Sequence, residues 1–393
     1  MLNQTREEEL IKLCRDMIKT ESISGNEKKM ADLVKENMCA NGFDEVIIDK
    51  YGSVIGHIAG EKSGKKILFD AHIDTVGVDR SEWNYDPFGA EIEDGKIYGR
   101  GSSDMKGSLA AMIQAANDFK EDTNKNFKGD IYISAPVHEE CFEGVAAREI
   151  SKKTKPDYVI IGEPSSLNIM RGQRGRAEIV LETKGESAHS ASPEVGKNAV
   201  YSMVNLIKKI RNINLKEHSI LGKGILELTD IISSPYPGSS IVPNHCRATF
   251  DRRTLVGESR DSILEQIQEI IEEAKKEDNE LQAEVYYSEG FEDCWTGNKI
   301  RAERFFPAWL YEENNEFIQR IYSTVNNTEI TSEISHYSFC TNGSHYAGEK
   351  DIPTLGFGPS DAHLAHVKDE YIEIEQLKKG YVGYYKIIEE LLV

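Results

Sequence analysis

The sequence predicts an α/β protein in two parts. One is a discontinuous domain with a mostly parallel sheet covered by helices, and the other is an inserted ferredoxin-like βαββαβ domain. Three observations predict this. Apolar runs of strand length, such as Ile67-Leu68-Phe69 and Tyr158-Val159-Ile160-Ile161, alternate with amphipathic helical stretches. After about Arg174 the alternation gives way to the order β-α-β-β-α-β, a unit complete in itself. Beyond residue 290 the α/β character returns. The expected division is therefore 1–174 and 291–393 as one domain, with 175–290 inserted into it, since a loop with close ends tolerates such an insertion.

Each element follows from local pattern. Residues 7–19 set Leu10, Ile11, Cys14, Met17 and Ile18 on one helical face. Ser24-Gly25-Asn26 breaks the chain before a second amphipathic helix from about Glu27 to Asn41. Strands follow at 45–49, 53–58 and 66–71, then a helix that begins near Lys106 and spans Leu109 to Phe119. Further strands are expected at 130–134 and 158–162. In the insert, strands at 177–183, 224–232, 245–252 and 282–288 flank helices at 196–210 and 260–276. The chain closes on a helix over Ile374–Leu392.

Composition bounds the function. The 393 residues are long for one hydrophobic core. The net charge of −20 argues against nucleic acid and anionic membrane surfaces as partners. No stretch of about eighteen apolar residues offers a membrane span. The N-terminus has no apolar core of a signal peptide, so a cytoplasmic location is expected. Six scattered cysteines without a C-x-x-C pair do not make a disulfide framework.

Five segments carry chemistry, each in a strand-end or loop context. In Phe69-Asp70-Ala71-His72-Ile73-Asp74-Thr75, His72 and Asp74 are two apart and share one side of an extended chain. A metal-bound imidazole needs an acidic or carbonyl partner on its other nitrogen, though a strand-end His beside an Asp is also ordinary hydrogen bonding. Asp104, in Gly99-Arg100-Gly101-Ser102-Ser103-Asp104-Met105-Lys106-Gly107, reads either as a helix cap or as a carboxylate bridging two metal ions. His138-Glu139-Glu140 follows an apolar strand, where an open α/β sheet places its ligands. Two adjacent carboxylates there can divide the work of binding metal and accepting a proton. Gly162-Glu163-Pro164-Ser165 again follows an apolar strand, and Asp361-Ala362-His363-Leu364-Ala365-His366 precedes Asp369-Glu370-Tyr371.

Together these motifs resemble, across essentially the whole chain and in the same order, the di-zinc hydrolase family of aminoacylase, acetylornithine deacetylase, succinyl-diaminopimelate desuccinylase and glutamate carboxypeptidase. Within it the chain is most similar to the selenium-metabolism-linked hydrolases. The resemblance implies a zinc-peptidase-like catalytic domain and a lid or dimerisation insert. It implies that His72 and Glu163 bind one metal, that Glu140 and His366 bind the other, and that Asp104 bridges both. Asp74 would orient His72, and Glu139 would be the general base and acid. His366 is preferred to His363 because it precedes the Lys-Asp-Glu-Tyr run. Imidazole and carboxylate donors suit Zn²⁺, and also Co²⁺ or Mn²⁺. His189, in Gly185-Glu186-Ser187-Ala188-His189-Ser190, would reach across a homodimer interface to the oxyanion, and Asn244 would face the substrate. Arg252 reads equally as a clamp for a substrate carboxylate and as an ion pair within the insert.

The implied activity is hydrolysis of an amide bond in a small N-acyl or N-carbamoyl amino acid. A dipeptidase or carboxypeptidase with the same site is one alternative, and a catalytically silent binding relative is another. Two departures stand out. His138 occupies a position where many relatives have an acid, and Phe339–His345 lacks the arginine that grips a substrate carboxylate in several of them.

Overall fold

The computed structural model describes residues 2–393, which divide into two compact units. One takes in the chain through Gln173 together with Phe291–Arg301 and Trp309–Val393, and the other is Arg174–Gly290 with Ala302–Ala308.

In chain order the first unit begins with α1 (Gln4–Lys19) and α2 (Lys28–Ala40), then β1 (Glu45–Ile48), β2 (Val54–Ala59) and β3 (Lys62–Asp70). Helix α3 (Gly107–Thr123), β4 (Lys128–Ala135), α4 (Val145–Thr154), β5 (Tyr158–Ile161) and β6 (Ile169–Gln173) complete its first segment. The insert follows as β7 (Gly175–Lys184), α5 (Ala199–Ile210), β8 (Ile225–Ser234), β9 (His245–Thr254), α6 (Arg260–Glu277) and β10 (Gln282–Tyr287). The chain then adds β11 (Trp309–Leu310), α7 (Glu316–Asn326), β12 (Ile334–Tyr337), β13 (Thr354–Gly356) and α8 (Ile374–Leu392).

The large sheet runs β1-β2-β4-β3-β5-β13-β6-β11, with β12 alongside β6. It is mixed. The central neighbours β4, β3, β5 and β13 are all parallel, while β1, β2 and β11 add antiparallel edges. Burial on both faces explains the apolar centre. Phe69 and Ile160 pack into one core with α1, α3 and α8, whereas their neighbours Leu68, Val159 and Ile161 pack into another with Ile150 of α4 and Tyr346. Side chains that alternate between two covered faces require a run that is apolar at every position.

The insert forms a separate antiparallel sheet of order β8-β9-β7-β10. Helices α5 and α6 supply Met203, Leu206, Ile263, Ile267 and Ile271 to its core. Residues 302–308, expected with the first unit, belong here because Phe305-Phe306 pairs with the start of β7. None of the six cysteines is in a disulfide. Among the described residues no helix is long and apolar enough to cross a membrane.

Candidate metal centre

The site is built at the carboxyl ends of β4, β3 and β5, three adjacent parallel strands. His72 lies two residues past β3, Glu139 and Glu140 follow β4, and Glu163 lies two residues past β5. Asp104 sits in the tight turn Ser102–Lys106 that leads into α3. The turn starts from Gly101 at φ +80°, where a Cβ would approach the Thr75 methyl to 2.8 Å, so both backbone and space call for glycine. His366 arrives from a loop late in the chain, beyond the 3-10 turn Ala362–Leu364.

Asp104 is the centre of this geometry. Its Oδ1 lies 2.9 Å from Nε2 of His72, and its Oδ2 lies 3.3 Å from Nε2 of His366. Glu163 approaches His72 Nε2 to 3.7 Å, and Glu140 approaches His366 Nε2 to 2.8 Å. Two groups of donors result, His72, Asp104 and Glu163, and Asp104, Glu140 and His366, each with its ligand atoms within 4.8 Å of one another. His363 stays out of the cluster. It is exposed and turned to Asp361.

The residues of this cluster suit cations. Burial, and then the charge of Glu163, pushes the Glu139 carboxyl well above its usual range. Burial and the neighbouring Asp104 push Glu163 well above its usual range and raise Glu140. Burial alone would lower the His72 pKa, but the bond to Asp104 and the surrounding carboxylates raise it. His366 is raised to about 10 by its bonds to Asp104 and Glu140. Carboxylates crowded into a desolvated pocket call for positive charge, and these imidazole and oxygen donors match borderline divalent ions.

The supporting contacts show what Asp74 touches. Asp74 meets His72 through its backbone, with the carbonyl 2.9 Å from Nδ1, while its carboxylate stands 3.7 Å away. That carboxylate accepts instead from the N–H groups of Glu139 (3.0 Å) and Glu140 (3.2 Å) and from the Ser24 hydroxyl (2.7 Å). Asp74 thus holds the Glu139-Glu140 turn, and its peptide oxygen at Nδ1 leaves Nε2 of His72 to face Asp104. Glu139 is buried, with Oε1 unpartnered among the described residues and Oε2 4.0 Å from His72. His138 is buried beside Glu27, at 4.0 Å.

Two supports were assigned no role from the sequence. Asp70, buried below His72, accepts from Ser134, Asn342 and Tyr346, each at 2.8 Å. Asn342 belongs to the segment that lacks the expected arginine, and its carbonyl oxygen takes the Gly144 N–H at 2.7 Å. Glu370 accepts from Arg100 and from the Asp104 turn. The Asp369-Glu370-Tyr371 run was the only hint of it.

His189 and Asn244 are exposed at one end of the insert sheet, where His189 bridges to Ile241 and Gly185 donates to the Asn244 carbonyl. Arg252 is not a free clamp. It is buried, and its guanidinium is committed to Glu258 at 2.5 Å and to the carbonyls of Ile225 and Arg253. A buried charge needs a local partner, and Glu258 lies only six residues away.

Comparison with known proteins agrees with this architecture. A family model described as Peptidase family M20/M25/M40 matches residues 68–390. The chain is 31% identical over 368 residues to the uncharacterized protein YgeY of Escherichia coli (strain K12), covering 92% of this chain and 89% of that one. It is 28% identical over 386 residues to the acetylornithine deacetylase of Vibrio atlanticus (strain LGP32), covering 93% and 94%. The fold matches that of the Bacillus subtilis YXEP protein with a TM-score of 0.74 at 14% identity, over 98% and 99% of the two chains. The chain belongs to peptidase family M20/M25/M40 and is a hydrolytic enzyme acting on carbon–nitrogen bonds.

Proposed function

We propose that this protein is a di-metal amidohydrolase that cleaves the amide bond of a small N-acyl or N-carbamoyl amino acid. The observation that carries the reading is the division of one carboxylate between two sites, with Asp104 Oδ1 toward His72 and Oδ2 toward His366. The YXEP protein is described as a dinuclear metal binding peptidase, and the Vibrio relatives as acetylornithine deacetylases. His72, Asp104 and Glu163 would hold one ion, and Asp104, Glu140 and His366 the other, with Zn²⁺ first among Co²⁺ and Mn²⁺. Such ions supply polarisation of the scissile carbonyl and acidify the attacking water.

The chain's own residues do the rest. Glu139 takes a proton from the attacking water and returns it to the leaving nitrogen, a task suited to a carboxyl raised by burial. Asp74 keeps the Glu139-Glu140 turn in place. In this reading His189 reaches across a homodimer interface to donate to the developing oxyanion, and Asn244 is a further substrate-facing donor.

We also assign the insert to homodimer formation. Its edge strand β8 is exposed at seven of its ten positions, Ile225, Ile231 and Ile232 among them, with Tyr236 (78% exposed) just beyond it and Tyr201 (72%) on α5. Apolar side chains on an open sheet edge invite pairing.

The test is metal analysis joined to a panel of N-acetyl, N-succinyl and N-carbamoyl amino acids and dipeptides. Two ions per chain, with turnover of an N-acyl or N-carbamoyl substrate that a chelator abolishes, is the expected result. Turnover of dipeptides alone moves the assignment to a peptidase, and failure to take up metal removes it.

A further inference from the structure

His366 stands on a stretch with little structure of its own. Residues 365–370 lie between the 3-10 turn Ala362–Leu364 and the short strand Tyr371–Glu373. His366 (φ +63°) and Asp369 (φ +54°) both adopt left-handed backbone, which non-glycine residues keep only where their surroundings over-determine it. The His366 side chain is 51% exposed, yet its Nε2 is held against Glu140 and Asp104. Local propensity does not supply that hold.

Glu370 supplies it. This residue is fully buried. Its Oε1 accepts the N–H groups of Ser103 (2.8 Å) and Asp104 (3.0 Å), and its Oε2 accepts the Gly101 N–H (3.1 Å) and Nη1 of Arg100 (2.7 Å). The Glu370 carbonyl takes the Gly99 N–H at 2.8 Å. Arg100 then completes the tie, since its Nη2 donates to the His366 carbonyl at 3.3 Å. One buried ion pair therefore ends on the peptide of Asp104 at one side and on the peptide of His366 at the other. An outer tie runs in parallel. The Asp369 carboxylate accepts from the Asn84 N–H (2.8 Å), the Asn84 amide (2.6 Å) and the Tyr85 N–H (3.3 Å).

We infer that Glu370 and Arg100 are positioning residues that fix the separation of Asp104 and His366, and so set the affinity of the cation position formed by Asp104, Glu140 and His366. This rests on the di-metal reading above. Charge-assisted bonds in a desolvated setting are the strong ones, so a strap of this kind resists both backbone relaxation and drift of the imidazole. The position formed by His72, Asp104 and Glu163 depends on it less, because His72 is anchored separately by the Asp74 carbonyl. The inference is therefore one of asymmetry, in which loss of the strap weakens one of two bound ions more than the other.

The experiment is calorimetric titration of the full-length, chelator-stripped protein with Co²⁺, followed in parallel by its visible absorption. Wild type is expected to take two equivalents. Glu370→Gln, which removes the charge and one acceptor, is expected to bind one equivalent about 10–100-fold more weakly while the other changes far less. Since Glu370 is buried and its variant can fail to fold, Asp369→Ala on the outer tie serves as the second probe, with the same asymmetry to a smaller degree. Folded variants that bind both equivalents as tightly as wild type overturn the inference. So does a lower melting temperature of the stripped protein with both affinities unchanged, which marks a purely structural pair. A wild type that binds no Co²⁺ overturns the di-metal reading and the strap with it, whereas two tight equivalents in every variant overturn the strap alone.

Discussion

Asp104 shows how much one side chain can be asked to do. Its carboxyl is buried, which by itself raises the pKa, but the bonds from His366 and His72 pull it below the ordinary range. Glu139, a short distance away, is pushed the other way by burial and by Glu163. Carboxyls driven apart in this way suit different roles, and the proposed function gives Asp104 that of ligand and Glu139 that of proton carrier. Glu139→Gln should keep the metal content of the wild type and lower kcat by about 10²–10⁴-fold, measured by steady-state kinetics beside metal analysis. Unchanged turnover would remove Glu139 from proton transfer. Asp74→Ala should act through the turn it holds. The expected loss is about 10–100-fold in activity, with His72 still supported by the backbone carbonyl at position 74, which the substitution keeps.

At the scale of elements, the end of β3 is supported from both covered faces of the sheet. Leu68 is fully buried among Ile55, Val159 and Ile161. Leu68→Ala should cost about 2–5 kcal/mol in denaturant unfolding, and a loss much below that would mean the layer beside α4 collapses into the gap. The turn Ser344–Glu349 is tied to α4 by Glu349, whose carboxylate meets Arg148 at 2.5 Å and His345 at 2.7 Å. Burial works to raise the Glu349 pKa, but the bonds from His345 and Arg148 win and bring it to about 2. Because the folded value lies below the unfolded one, this contribution is fully present above the unfolded pKa of about 4.3 and disappears as pH falls toward about 2. Glu349→Gln should therefore be less stable than wild type at pH 7, by about 1–3 kcal/mol, and the two should converge near pH 2. A gap that persists at pH 2 would point to packing in place of charge.

For the molecule as a whole, the crowded carboxylates link stability to cations. Removing bound metal should lower the melting temperature, since a ligand present at about a thousand times its Kd contributes about 4 kcal/mol. A scan with and without chelator checks this, and coincident curves would contradict it. Ile232→Glu combined with Tyr236→Glu should shift the sedimentation mass from dimer to monomer if the edge of β8 is the pairing surface. A dimer that survives both charges would move the interface elsewhere.

Local chemistry alone determined a good deal about this protein. The strands and helices were legible because apolar runs and 3.6-residue periodicity are set by near neighbours. His72, Asp104, Glu140, Glu163 and His366 stood out beside strand ends and glycine turns, but their joint role as ligands came only from the resemblance of the five motifs to the family, and the structure brings their side chains into two groups. Tertiary structure decided what those neighbours cannot encode. It gave the hydrogen bonds of the Asp74 carboxylate to the Glu139-Glu140 turn and set its carbonyl against His72. It buried Arg252 against Glu258. It joined Arg100 to Glu370 across 270 residues of chain. The physical reason is common to all three. A buried polar group must find its partner wherever the fold brings one, and that choice is made by desolvation in three dimensions, not by spacing along the chain.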